Sequence, residues 1–309
     1  MDETSPVSSD AGGRPQPWRA LRWLFGFPGY LWPWAALFLC VSWASWHYAV
    51  PELQSPRRLS MSWILSLLGW NLTTLVIIAS AWHFWFYVRR AQGTHHKLNP
   101  RWLSTGNPIF FFKDQLWDNV FWNIGSAVPI WTGYEVLSLW LQARGVIPTV
   151  QFADHPAYCA LLFSMTPLWI VCHFYFTHRL IHWRPLYRAI HYIYHKNYNP
   201  GPWSGLAMHP VEHVILFSDV LLFWVVPSHP LNAIYVLTLT ALSAPEGHLG
   251  FDALSLGEHS FALGDRMHYL HHKYVTVNFG SPMLPLDKWL GTLRSEPSGG
   301  QVPLETRES

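Results

Sequence analysis

Apolar residues run along this chain in long blocks. Residues 30–50 and 62–88 contain no Asp, Glu, Lys or Arg, and each meets the roughly 20 residues a helix needs to cross a hydrocarbon core of about 30 Å. Residues 156–177 are equally free of charge and 119–143 carry a single carboxylate, Glu135, so both read as further spans. Residues 214–245 are apolar too but are interrupted by "VVPSHPLN", a break that predicts a re-entrant or hairpin helical pair entering and leaving on one side. The pattern predicts an all-α integral membrane protein: four transmembrane helices, the hairpin pair, and polar segments between them.

Composition strengthens that picture. Only 12% of residues are charged, against roughly 25% in an average soluble protein, and 20 tryptophans raise the aromatic share to 17%. Trp32, Trp34, Trp43, Trp46, Trp63 and Trp70 read as an interfacial belt or lipid-facing packing. A net charge of +2 without any dense lysine or arginine run excludes a nucleic-acid partner. Cys40, Cys159 and Cys172 lie in apolar stretches without CxxC spacing, so they predict neither a disulfide framework nor a thiolate metal site. Residues 1–28 are rich in Pro, Gly, Ser and Arg and read as a flexible cytosolic tail without a cleaved export signal.

Positive charge sets the orientation. The tail carries 3 Lys and Arg, the 89–118 loop 5, the 178–213 segment 4 and the region after 245 another 5, while the 51–61 and 144–155 loops carry 2 and 1. Four crossings from a cytosolic tail put 17 of the 20 positive charges, and every histidine-rich segment, in the cytosol, as the positive-inside rule requires.

Twelve of the 18 histidines fall between His178 and His272, grouped at helical spacings. His178 and His182 are four apart, as are His191 and His195, while His268, His271 and His272 repeat that geometry in "HYLHH". Residues so spaced share a helix face. Three such groups on one membrane face predict a metal site built at helix ends, because imidazole suits iron, zinc and copper. Their number exceeds the four or so ligands of a tetrahedral zinc, and two metals fit the count better. His47, His83, His95, His96, His155, His173, His229 and His259 read as ordinary core or interfacial side chains.

These motifs carry a family resemblance. Residues from about 157 to 292 resemble the sterol desaturase/fatty acid hydroxylase superfamily, whose pattern is HxxxH, then HxxHH, then a distal HxxHH. "HRLIH" fills the first box and "HYLHH" the last, while "LYRAIHYIYH" stands at the middle one with Tyr194 in place of the first histidine of the doublet. Tyr194 there either ligates metal or, the preferred reading, serves as a hydrogen-bond partner. "HPVEH", "GHLGFD" and the closing "VNFGSPMLPLDKWLGT" resemble further family segments, in a style nearest the C-4 methylsterol oxidase branch.

The resemblance implies a cytosolic di-iron centre held by His178, His182, His191, His195, His248, His268, His271 and His272, with His209, His213 and Asp252 as weaker ligand candidates and Glu212 as a supporting residue. It implies an O2-dependent enzyme that hydroxylates or desaturates a sterol or fatty-acyl C–H bond and draws the lipid from the bilayer. Electrons would come from a cytochrome b5-like or ferredoxin-type donor, since the chain shows no GxGxxG fingerprint. Arg179, Arg184, Arg188 and Lys196 could dock such a donor or anchor to anionic lipid. The membrane would be a bacterial inner membrane or the endoplasmic reticulum. The chain then divides into the tail 1–28, an N-terminal transmembrane region 29–156, a catalytic domain 157–295 and a disordered tail 296–309.

Other readings compete. "HPVEH" also satisfies HxxEH, an inverted zinc-peptidase signature, although Pro210 suits a first helical position and would leave His209 at the cap, off the helix face. A haem protein needs only two axial imidazoles. A non-catalytic scaffold leaves the histidine groups without a use.

Overall fold

The long apolar runs are helical because backbone polar groups in apolar surroundings must bond to one another. The computed structural model of the protein describes residues 17–26, 29–50, 58–263 and 266–296. α1 (Pro17–Phe25) leads to α2 (Trp34–Tyr48) and to α3 (Met61–His83), which continues through a π turn, Phe84–Val88. Asp114 then caps α4 (Gln115–Trp122) by accepting the Trp117 N–H at 3.0 Å, and a second π turn, Asn123–Ala127, joins α4 to α5 (Val128–Ala143). α6 (Pro156–Ile181) opens on proline, whose fixed φ suits a first helical turn.

Beyond α6 the elements shorten. α7 (Arg184–Leu186), a π turn (Tyr187–His191) and α8 (Tyr192–His195) form one stretch of helix. α9 (Pro210–Leu216) passes through a 3-10 turn, Phe217–Leu221, into α10 (Leu222–Val225), and after the predicted break α11 (Pro230–Glu246) returns. Strands β1 (Ala253–Leu256) and β2 (His259–Ala262) pair antiparallel ahead of α12 (Arg266–Tyr274) and α13 (Leu286–Trp289).

α11 is the central helix. Thirteen of its 17 residues are buried, and it packs against α2, α3, α5 and α6; a helix apolar all round belongs in such a position. Polar pairs tie the bundle together: Asn71 on α3 donates to Glu135 on α5 at 2.8 Å, Trp224 donates to Ser138 at 2.9 Å, and Thr240 on α11 donates to Asp219. In apolar surroundings such bonds select which helix faces meet.

Met61–Val88 and Pro156–Ile181 are the two helices among the described residues that are long and apolar enough to cross a bilayer. Each leaves large apolar side chains outward, including Leu65 and Ile77 on the first and Leu161 and Phe176 on the second.

Three expectations need correction. The 30–50 run is helical only over the 15 residues of α2, because the helix begins after Pro33 at its N-cap, and 15 residues rise about 22 Å, short of a full crossing. The segment read as a flexible tail over 1–28 contains α1, whose Trp18, Leu21 and Phe25 share one exposed face; residues 1–16 and most of the predicted tail 296–309 lie outside the described residues. The chain is also not wholly α. Gly257, at φ +61°, and Glu258 make the two-residue turn of a β-hairpin, and the strands, four residues each, are too short for a clear alternating signal.

Candidate metal centre

Four chain segments deliver the histidines to one place. The last turns of α6 carry His178 and capping His182. The π turn before α8 widens the helix so that His191, Tyr194 and His195 project from adjoining turns, and π turns recur at functional sites for such re-aiming. His248 follows the Gly247 cap of α11, and α12 presents His268, His271 and His272. His178, His191, His195, His248, His271 and His272 are buried.

The eight imidazoles form two groups. Ligand nitrogens of His178, His182, His191, His195 and His271 all lie within 4.8 Å of one another, and so do those of His248, His268 and His272. In the first group Nε2 of His182 is 2.9 Å from Nε2 of His191, 3.2 Å from that of His271 and 3.3 Å from that of His195. In the second, Nε2 of His248 is 2.9 Å from that of His268 and 3.4 Å from that of His272. The groups adjoin, with the His195 and His272 rings 5.1 Å apart.

Hydrogen bonds behind the rings aim them. Nδ1 of His178 meets the Phe279 carbonyl at 2.7 Å, Nδ1 of His271 the Val277 carbonyl at 2.6 Å, and Nδ1 of His248 the Ala244 carbonyl at 2.8 Å. A carbonyl only accepts, so each Nδ1 carries the proton and each Nε2 turns a lone pair inward. Nε2 of His178 is buried and has no hydrogen-bond partner among the described residues. Crowded, inward-facing lone pairs repel unless a cation or shared protons lie between them. The donor set therefore fits two metal ions of the iron or zinc kind, and eight imidazoles exceed what one ion can use.

Glu212 on α9 sits behind His191, with Oε1 2.6 Å from Nδ1. Burial raises the Glu212 carboxyl well above its usual range and lowers the His191 imidazole, so each favours its neutral form. Burial and neighbouring imidazoles also lower His195 to about 3 and His248 to about 4. Neutral rings are the form that binds metal.

A pH dependence follows. These groups titrate near 6.5 when unfolded and far lower when folded, so the unfolded chain binds more protons below 6.5, and stability present above that pH is lost as pH falls towards 4. Each such imidazole contributes a slope of about 1.4 kcal/mol per pH unit. The melting temperature of chelator-treated protein should be level above about pH 7 and fall steeply below 6.5; a level profile down to pH 5 would contradict the burial of neutral rings.

The weaker ligand candidates lie elsewhere. His209 caps α9, its Nδ1 accepting the Val211 N–H at 3.2 Å, as Pro210 predicts. His213 is held between Ser126 at 2.9 Å and the Leu206 carbonyl at 3.0 Å. The two do not converge with Glu212 on a zinc site. Asp252 pairs with Arg266 at 3.4 Å, turned away because Gly250, at φ +74° against the Pro200 carbonyl and the Tyr87 hydroxyl, redirects the chain after His248. Tyr194, by contrast, enters the second group, its hydroxyl 2.5 Å from Nε2 of His248 and 2.6 Å from Nε2 of His268.

Residue-type reasoning passed over Asp287 and Asn278. Asp287 accepts the Phe279 and Gly280 N–H groups at 2.8 and 2.9 Å and the Thr292 hydroxyl at 2.7 Å. Asn278 bonds the Met267 and Arg294 carbonyls. Together they hold the loop whose carbonyls orient His178 and His271. The signal was present in the closing segment "VNFGSPMLPLDKWLGT", but spacing alone gives it no role.

Comparison with known proteins agrees with the resemblance drawn from the boxes. Residues 163–292 match the family model described as fatty acid hydroxylase. The chain is 28% identical over 173 residues to a delta(7)-sterol-C5(6)-desaturase of Nicotiana tabacum, covering 54% of this chain and 61% of that protein. It is 29% identical over 168 residues to cholesterol 25-hydroxylase of Mus musculus, covering 51% and 54%, and 30% identical over 141 residues to a methylsterol monooxygenase of Aspergillus fumigatus, covering 43% and 46%. These matches span about half to three-fifths of the relatives' lengths. No solved structure matches the chain significantly.

Proposed function

Because residues 163–292 match the fatty acid hydroxylase family model, we propose that this protein is a membrane-bound di-iron enzyme that uses O2 to hydroxylate or desaturate a lipid C–H bond. The observation that carries the reading is the pair of adjoining imidazole groups, five and three histidines strong, beside an apolar cleft. The curated relatives are a sterol desaturase, a sterol hydroxylase and a methylsterol monooxygenase, which favours a sterol or another extended lipid as substrate.

His178, His182, His191, His195 and His271 would hold one iron, and His248, His268 and His272 the other. Bound iron supplies the activation of dioxygen that side chains cannot. The chain's own residues do the rest. Neutral imidazoles leave the pair more positive than carboxylates would, Glu212 keeps His191 oriented, and the backbone carbonyls of residues 277 and 279 fix the tautomers of His271 and His178.

The cleft is narrow, lined by Phe174, Ile181, Met208, Ile215 and Leu216, and His178, Tyr194 and Glu212 also face it. Its walls come from α6 and α9, so an aliphatic substrate would enter between helices with little water beside it. In this reading α4–α5 pack with α3 in the bilayer as a further span, α2 enters the bilayer without crossing it, α1 lies at the headgroup level, and the cage faces the cytosol. Electrons come from a separate cytochrome b5-like or ferredoxin-type donor, with the exposed Arg179, Arg184 and Arg188 as the docking face, while Lys196 is half-buried and paired with Asp118 at 3.4 Å.

The test is product analysis of full-length protein in lipid vesicles with iron, O2 and a reducing donor. Oxygenated or dehydrogenated sterol is the expected result; unaltered lipid from protein that holds both metals would overturn the reading. The Leu216→Trp variant, which fills the cleft and replaces no ligand, should lower turnover by about a hundredfold, the cost of misplacing a reacting carbon by about 1 Å, with metal content unchanged. Wild-type turnover in that variant would remove the cleft as the substrate path.

A further inference from the structure

Tyr194 occupies the second histidine group in a way that a supporting residue does not. Its hydroxyl lies 2.5 Å from Nε2 of His248 and 2.6 Å from Nε2 of His268, while those two nitrogens are 2.9 Å apart. Residues that support a metal site stand behind the ligand ring, as Glu212 stands behind Nδ1 of His191 at 2.6 Å. Tyr194 instead meets its neighbours at the inward-facing Nε2 atoms.

The hydrogen-bond arithmetic points the same way. Nδ1 of His248 donates to the Ala244 carbonyl, so its Nε2 carries a lone pair, and a phenol has one proton to give. As a neutral hydroxyl Tyr194 donates to only one of His248 and His268 and accepts from the other only where that Nε2 keeps its proton, whereas as a deprotonated oxygen it joins three imidazoles in a four-donor N3O set. Four ligands with bonds of about 2.0–2.1 Å stand roughly 3.3 Å apart in a tetrahedron; Nε2 of His272 stands 3.4 Å from that of His248, while the Tyr194 oxygen sits closer to Nε2 of His248 and His268, at 2.5 and 2.6 Å, the distance of a shared proton. The side chain is 1% exposed, so water does not compete for that oxygen.

We infer that Tyr194 is itself a metal ligand, its phenol oxygen completing the site of His248, His268 and His272 and making the two metal positions chemically unequal. This rests on the reading of the histidine cage as a two-metal site. On binding, the O–H bond breaks, the oxygen keeps its electron pair and donates it to the metal, and the proton leaves to solvent. One position is then all-imidazole, while the other carries an anionic oxygen donor, which favours the ferric state.

The experiment uses full-length protein in detergent, loaded anaerobically with ferrous iron and then oxidised. Phenolate bound to ferric iron gives a visible charge-transfer band and enhanced tyrosine ring modes in resonance Raman, signals that an all-imidazole site lacks. Wild type should hold about two irons per chain and show both signals. Tyr194→Phe should lose the band and one equivalent of iron, and Tyr194→His should regain that iron without the band.

Two irons in wild type with no band would overturn the ligand role of Tyr194 and leave the two-metal reading standing. A band unchanged in Tyr194→Phe would overturn it equally, since another tyrosine would be its source. No iron in wild type would remove both the two-metal reading and this one. Should Tyr194→Phe not fold, the comparison of wild type with Tyr194→His decides.

Discussion

Replacing His271 and His272 together with alanine should yield a folded protein that holds neither metal and turns over more than about a thousandfold more slowly. The pair strikes both groups at once, because Nε2 of His271 lies 3.2 Å from those of His182 and His195, while Nε2 of His272 faces that of His248 at 3.4 Å. Alanine is the best helix former, so α12 should persist. The change also removes two imidazoles that crowd their neighbours when no cation separates them. Metal-free wild type and the variant should therefore melt at similar temperatures, and only the metal-loaded wild type should gain stability from its ions. Metal content by atomic spectroscopy, melting temperature and turnover, measured on one preparation, check this. Turnover persisting in the variant would remove these residues from the site.

Asp287→Ala should cost about 3–5 kcal/mol of stability, because it strands two buried N–H donors at about 1–3 kcal/mol each and takes one partner from the half-buried Thr292 hydroxyl. The carboxylate receives Phe279 N–H, Gly280 N–H and the Thr292 hydroxyl, and it is completely buried. Gly280 has no room for a side chain, since a Cβ there would stand 3.0 Å from both the Asp287 carboxylate and the Tyr175 ring; the loop cannot repack around a smaller residue at 287. Loosening that loop moves the carbonyls that hold His178 and His271, so metal affinity should also fall about 10–100-fold, as when partners behind ligands are removed. Asp287→Asn keeps one acceptor oxygen and should lie between the two. Denaturation midpoints and metal titrations read both effects, and an Asp287→Ala protein as stable as wild type would contradict the account of the loop.

The candidate ligands were legible where they share a helix. HxxxH and HxxHH are what two or three inward-facing residues look like at 3.6 residues per turn, and His178, His182, His268, His271 and His272 were found that way. His248, a single histidine beyond the end of α11, has no periodic partner and was found only through the resemblance. His209 and His213 entered only through the resemblance of "HPVEH", and Pro210 at the first helical position takes His209 out of the helix, as its place in the sequence predicts. Asp252 also entered through the resemblance, and it faces Arg266 because the chain after Gly247 is not helical. Tyr194 read as an imperfect box, since one-letter identity says nothing of where a hydroxyl points. The bundle was legible as apolar blocks, but a block counts residues and not the helix they make: Pro33 shortens α2, and α11 is apolar because it is buried by protein on every side.

The central claim is that two adjoining imidazole groups hold two irons in one chain. Its most direct measurement is an anaerobic titration of metal-free, full-length protein with ferrous iron, followed to saturation. The account predicts saturation at about two irons per chain with coupled-pair behaviour on oxidation; saturation at one iron, or a preference for a single zinc, would contradict it.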